Sequence, residues 1–379
     1  MKLPVASVAR AALTSAVPTG IFVLAGAILV IALSPPGVSE ASAAGMREIR
    51  DMTGRVVRLR GTPKRAMIFA PVLSHYVTVD GDTHVSAIAA FMRAETNGSL
   101  LGKLYPKLSS KEIASTSTPT NGTPASVEQT MLEAPDVVLT WAWFAAKIEE
   151  IHYPGLMKML SDKSSVGETT YRLFGDLTQR SERVDALLAR DRKQMDELHA
   201  ELPQPARPPE IMLMLPWNHA MWGPSTPGFN RDIRSLGARN AAEATRGAGG
   251  QNIEEIIRLD PEVLFLPTAY PMQKSSPADV YADKSLGAIR AVRDRRVYRI
   301  PNGAADMEGP VENSLKMQWI AELIYPDMKP RMPLRTAIRD AYRSAFAYEM
   351  SDDDIDALLR LDENRISANY RRFARGFDR

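Results

Sequence analysis

One block of sequence occurs twice, and it constrains the architecture more than any other feature of the chain. Residues 126–139, SVEQTMLEAPDVVL, match residues 252–265, NIEEIIRLDPEVLF, at a constant offset of 126. Each copy opens on a helix N-cap, Ser126 or Asn252, with Gln129 or Glu255 three residues on, the spacing of a capping box. Each reaches a proline, Pro135 or Pro261, and enters an apolar strand. A helix–strand unit repeated across 379 residues predicts two lobes of related design.

The rest of the chain fits that plan. Strand-like runs are expected at 66–71, 85–91, 137–141, 211–215, 263–266 and 297–300, with helical periodicity between them. The fold class read from this order is α/β: two Rossmann-like lobes with mainly parallel sheets joined by one long inter-lobe α-helix. The helix is expected over Asp176–Glu201, which holds no Pro and no Gly. There Val184, Leu188, Met195 and Leu198 recur at helical spacing. Such a helix would be about 39 Å long and act as a strut, stiffer than a Gly/Ser linker. Pro203, Pro205, Pro208 and Pro209 end it. Alternation on both sides of Thr53-Gly54 predicts an opening β-hairpin.

Residues 1–43 read as an address. Lys2 and Arg10 precede an apolar run, Ile21 to Leu33, then Pro35-Pro36 and a small-x-small cleavage site at Ala41-Ser42-Ala43. That is the layout of a secretory signal peptide, and the run falls short of the ~20 residues of a membrane span. The expected organisation is a signal peptide (1–43), an N-terminal lobe (46–175), a connecting helix (176–202), a C-terminal lobe (208–349) and a helical tail (350–379) whose last residues are solvated. The chain contains no cysteine, which excludes disulfides, thiolate metal sites, a Cys nucleophile and a lipidated N-terminal Cys. A secreted chain without that lipid anchor points to the periplasm. The formal net charge of +2 offers no basic excess for nucleic acid.

With these pieces in view, the chain resembles the periplasmic binding proteins of the iron-siderophore and cobalamin (Fe/B12) class of ABC importers. The matching stretches are Ile49–Val57, Pro63–Ile68, the two repeat blocks, Leu236–Ala242 and Val292–Pro301, over roughly residues 46–350. The resemblance implies a shallow cleft between the lobes that holds a cargo, and small closure because the connecting helix limits the hinge. It implies an inner-membrane ABC permease as partner, a metal-chelate small molecule as cargo, a monomer, and no intrinsic cofactor beyond the metal carried in the chelate. It also implies that Glu128 and Glu254, equivalent across the repeat, face arginines of the permease. Both positions lie at a helix N-terminus, where the helix dipole favours a carboxylate in any case.

Cargo is expected at the carboxyl ends of the parallel strands. Trp141, Trp143 and Phe144 follow one strand, Trp217 and Trp222 flank Asn218-His219-Ala220-Met221 after another, and Tyr270 follows a third. Their flat faces suit chelates and corrins, or else plug the core. His75 and Tyr76 follow the first lobe strand and are the candidates for direct iron ligation. Among the cations Arg93, Lys103, Arg231 and Arg234, Arg231 is the first choice for pairing with an anionic chelate. Met307 and Glu308 lie in the last cleft-side loop. The five histidines, at 75, 84, 152, 199 and 219, form no His-x-x-x-His pair, so a bare Zn or Ni site is not indicated. The cargo alternatives are cobalamin, heme and molybdate, and a ligand-sensing receptor would share the fold. No Gly-x-Ser-x-Gly, His-Glu-x-x-His, Walker or Gly-x-Gly-x-x-Gly motif supports an enzyme.

Overall fold

The computed structural model describes residues 45–69, 72–116, 126–160, 167–217, 220–222, 227–244, 253–267 and 276–377. The expected signal peptide, and with it any cleavage site, lies outside the described residues. The opening hairpin forms as read, β1 (Met46–Arg50) against β2 (Val56–Arg60), with Gly54 at φ 86° in the turn. Only a residue without Cβ takes that conformation cheaply.

The first lobe is built on β3 (Ala66–Ile68), β4 (Val85–Ala89), β5 (Ala114–Thr116), β6 (Val137–Trp141) and β7 (Leu156–Met159). These form one parallel sheet in the order β5-β4-β3-β6-β7. The second lobe follows with β8 (Glu210–Leu213), a small antiparallel pair β9 (Leu215–Trp217) and β10 (Ala220–Trp222), then β11 (Arg239–Asn240), β12 (Val263–Leu266) and β13 (Val297–Arg299). Its main sheet is parallel in the order β11-β8-β12-β13. Strands β4 and β12 are buried at every residue, which is why they read as continuous apolar runs. The two copies of the repeat end in β6 and β12, and these hold the same place. Each lies between its lobe's first sheet strand (β3 or β8) and the strand that follows it in sequence (β7 or β13).

The connecting helix is shorter than expected. Residues Asp176–Thr178 belong to a preceding helix, Glu168–Thr178, and the strut proper is Ser181–Glu201, about 31 Å long. The break is at Gln179, which takes the left-handed conformation at φ 56°. Arg180 then donates its N–H back to the Gly175 carbonyl at 2.8 Å. Gly175 also lets the two helices close on one another, since a Cβ there would sit 3.0 Å from Val184. A glutamine in the left-handed cap carries no Gly or Pro signal, so the sequence pattern ran through it.

The strut divides its apolar residues between the lobes: Val184 and Leu188 enter the first core, Leu187 and Leu198 the second. It also holds the second lobe by polar contacts. Asp191 accepts the Ser314 N–H at 3.1 Å, and Ser314 donates its hydroxyl to Gln194 at 2.9 Å. The C-terminal residues are a second correction, because they are not a solvated tail. Ile355, Leu358, Tyr370 and Phe373 are buried in the core of the second lobe, packed with Trp319. The Trp319 indole N–H donates to the Tyr370 hydroxyl at 3.1 Å. Among the described residues no helix is long and apolar enough to cross a membrane.

Candidate functional site

The carboxyl end of β6 carries an aromatic platform. Trp141 is the strand's last residue, and Ala142–Phe144 turn at once into a single 3₁₀ turn. That tight turn brings Trp143 back over Trp141: their rings stack at 5.1 Å with 14° between planes. Phe144 meets Trp143 edge-on at 5.9 Å. Trp143 is 54% exposed. A large exposed aromatic held in a stack is a ready-made flat surface at the end of a parallel strand. Trp217 and Trp222 lie on the β9–β10 hairpin beyond β8, opposite Ala220 and Leu215 in the register. Tyr270 lies outside the described residues, as does His219.

Three of the expected ligand-binding residues are closed off from solvent. His75, 2% exposed, stands in the helix Leu73–Asp80, whose residues 73–79 are all buried. Its Nδ1 shares a hydrogen bond of 3.0 Å with the Tyr171 hydroxyl. Burial lowers its pKa to about 3, so the ring is neutral at ordinary pH. Tyr171 in turn lies against Gly309, where a Cβ would fall 2.3 Å from the tyrosine hydroxyl. His75 therefore belongs to the joint between the first lobe and the helix Gly309–Ile324. Tyr76 is a core residue, edge-on to Phe174 at 5.5 Å, and its hydroxyl donates to Asp80 at 3.2 Å. Met307, 1% exposed, packs into the second core. A position after a strand, the signal that points to all three, does not fix the direction in which a side chain turns.

The cations separate in the same way. Arg93 ties its helix to the approach to β5 through the carbonyls of Ser110 (2.8 Å) and Ile113. Arg234 pairs with Glu243. Arg231 stays exposed on the helix Pro227–Ser235, its guanidinium 3.3 Å from the adjacent Asp232. The loop beyond β13 is organised by a residue the sequence did not single out. Glu312 is fully buried and accepts the N–H groups of Ala304 (2.8 Å), Ala305 (3.0 Å) and Met307 (2.8 Å), and also the Tyr342 hydroxyl.

The nominated docking residues sit on matching short helices, Val127–Glu133 and Ile253–Leu259, and both glutamates are exposed. Glu128 accepts the Ser126 hydroxyl at 3.0 Å. Its own backbone N–H, and then that hydroxyl, hold its carboxyl below the usual range. Ser126 caps the first helix through the Gln129 N–H, while Asn252 lies outside the described residues. Among the described residues no three His, Asp or Glu groups converge as a metal site. A cavity of about 360 Å³ lies between the strut and the second lobe, lined by Gln194, Leu198, Leu315, Gln318 and Ala337, and none of the nominated residues reaches it.

Two parallel sheets, one strut and a repeated helix–strand unit define the architecture. The sequence profile of the family described as "Periplasmic binding protein" matches residues 103–304, more than half of the chain and parts of both lobes. The chain belongs to the periplasmic binding protein family. No curated protein sequence matches this binding protein. Solved structures share its fold. A periplasmic solute-binding protein from Veillonella parvula superposes with a TM-score of 0.71 at 24% identity, covering 84% of this chain and 98% of that one. The molybdate-binding protein MolA of Haemophilus influenzae gives a TM-score of 0.63 at 18% identity, over 80% of this chain and 99% of that one. The FepB protein of Veillonella parvula gives 0.59 at 15% identity, over 80% and 97%. The family implies a periplasmic location and a role in binding.

Proposed function

We propose that this protein is the periplasmic solute-binding component of an ABC importer and that it captures a ferric-siderophore-type metal chelate between its lobes. The observation that carries the cargo class is the exposed Trp141–Trp143–Phe144 platform at the end of β6. A bare oxyanion gains little from stacked indoles, whereas a planar chelate buries a face against them. Arg231, exposed beyond the hairpin that bears Trp217 and Trp222, supplies a guanidinium for the anionic oxygens of such a ligand. No bond in the cargo is made or broken. Release follows docking on the inner-membrane permease, where Glu128 and Glu254 present one carboxylate from each lobe. Two carboxylates on a stiff body meet two cationic pockets in register, which sets orientation more than affinity. Residues 1–43 export the chain and are removed, and the protein works as a monomer.

The test is to purify the protein from the periplasm of its own cell and record its visible spectrum, native mass and metal content together. A coloured protein carrying iron in about one-to-one ratio with an organic chelator supports the reading. A colourless protein carrying molybdate, the ligand named for MolA, overturns the cargo class while leaving the transport role in place.

A further inference from the structure

The lobes meet at a contact that does not involve the strut. From the first lobe comes the short helix Leu100–Leu104, capped by Ser99. Its Leu100, Leu101 and Leu104 pack against the core of the second lobe. Tyr105 sets its ring edge-on to Phe346, with centroids 6.3 Å apart at 90°. Lys103 reaches Asp354, Nζ to Oδ1 at 2.6 Å, across 251 residues of sequence.

Asp354 is 7% exposed, and its two oxygens have different tasks. Oδ2 closes the capping box of the helix Asp352–Leu358 by accepting the Ser351 N–H (3.1 Å) and hydroxyl (2.7 Å), and it also takes the Tyr348 hydroxyl at 3.1 Å. Oδ1 accepts from Lys103 of the other lobe. The cap makes the carboxylate a fixed point before the lysine arrives. The helix that bears it is rigid in its turn: Ile355 and Leu358 are buried, and Arg335 bridges Asp352 (2.7 Å) and Asp356 (2.6 Å). The charged C-terminal stretch is thus a foundation built onto the second lobe, with one carboxylate oxygen offered to the first.

We propose that residues 346–377 act as a brace between the lobes, fixing the resting aperture of the cleft through Lys103–Asp354 and Tyr105–Phe346. The strut and the Tyr171–Gly309 joint already tie the lobes together, and this separate contact adds another point of attachment that restrains the twist of one lobe against the other. This inference does not depend on which cargo is carried.

The chain has no cysteine, so a pair of introduced cysteines can be spin-labelled without background. Labels at Lys147→Cys and Lys284→Cys, exposed positions on the first and second lobes, report the inter-lobe distance by double electron–electron resonance. On that background Lys103→Ala should broaden the distance distribution about twofold, while Lys103→Arg restores it. Lys107→Ala is the control, because Lys107 donates only within its own lobe, to the Thr83 carbonyl at 2.7 Å. Lys103 is half-exposed, so its removal leaves the fold intact, which a circular dichroism melt verifies. Distributions that superimpose for the parent, Lys103→Ala and the Lys103→Ala/Tyr105→Ala pair would overturn the brace.

Discussion

Ala134 and Asp260 stand 126 residues apart and close their helices in the same left-handed conformation, φ 41° in both. Each donates its N–H back to the fourth residue before it, Thr130 or Ile256, at 3.0 Å. Two residues on, Asp136 and Glu262 donate to a carbonyl at the start of the neighbouring strand, that of Arg65 just before β3 or of Glu210 at the head of β8, both at 2.8 Å. The repeat in the sequence is therefore a repeat of backbone geometry, down to the hydrogen bond that starts each strand.

The two caps should respond oppositely to glycine. A left-handed L-residue costs about 1 kcal/mol, and the entropy glycine loses on folding returns part of that. Ala134→Gly should therefore stabilise the protein by about 0.5 kcal/mol. Asp260 has more to lose, since its carboxylate accepts the Arg290 N–H at 2.7 Å and the Arg290 Nε at 2.9 Å. Asp260→Gly should cost about 1–2 kcal/mol. Urea titration of both variants decides the matter, and equal signs would contradict the argument.

The platform tryptophans separate binding from stability. Trp143 is 54% exposed, so Trp143→Ala should leave the thermal midpoint nearly unchanged. It should weaken a ferric catecholate by about three- to tenfold, the worth of one aromatic face. Trp319, fully buried between Phe265 and Tyr370, is the contrast: Trp319→Ala should cost about 3–5 kcal/mol. Fluorescence quenching and calorimetry on the same samples read both effects.

Much of this fold was legible in sequence because long-range order left local marks. The repeat, the apolar strands and the hairpin each announced themselves by spacing. What escaped was short or lacked contrast. Strand β5 is Ala-Ser-Thr, and β11 has two residues, so neither carries a pattern. The C-terminal stretch looked solvated because its charges are mixed, yet arginines from its own and neighbouring elements take up its acids. Arg375 pairs with Asp353 and Asp356, and Arg335 of the preceding helix with Asp352 and Asp356. The site was less legible than the fold. A strand end locates a loop, but the phase of the following helix decides whether His75 looks outward, and a helix buried on all faces gives no phase to read.

Docking should depend on both lobes at once. Charge reversal at Glu128 and Glu254 together should abolish uptake while ligand affinity measured on the purified protein stays the same. Both side chains are exposed, so neither change should move the melting temperature appreciably. Uptake that survives the double reversal would remove these residues from the permease contact.

The brace carries a pH signature. Burial alone would raise the Asp354 carboxyl, but Lys103 and the Ser351 and Tyr348 groups outweigh it and hold the pKa at about 2. An unfolded aspartate titrates near 3.9, so the folded state binds its proton later. Asp354 therefore contributes stability that is complete above about pH 4 and lost as pH falls toward 2. The stability gap between the parent and Asp354→Asn should be roughly 2 kcal/mol at neutral pH and should close across that window. A gap that persists unchanged at pH 2 would assign the effect to packing.

Glu312 is the residue whose loss should reach the cleft without touching it. Four donors converge on its buried carboxylate, three of them backbone N–H groups of residues 304–307, and Gly303 is the reason it fits: a Cβ there would meet the carboxylate at 2.2 Å. Burial pushes its carboxyl upward and the donors pull it back, so the group is costly to bury and costly to remove. The Ala304 N–H keeps a second acceptor in the Tyr342 hydroxyl at 2.9 Å, so Glu312→Ala leaves three buried donors unpaired at about 1 kcal/mol or more each, which predicts a loss of at least ~3 kcal/mol. Tyr342→Phe removes one donor and leaves the other three satisfied, so it should cost only about 1 kcal/mol. Gly303→Ala should behave like Glu312→Ala, since the carboxylate has to leave its seat. Hydrogen exchange distinguishes this account from a general weakening of the core: in Tyr342→Phe the N–H groups of Ala304, Ala305 and Met307 should remain protected, while in Gly303→Ala these three should exchange ahead of the β12–β13 ladder.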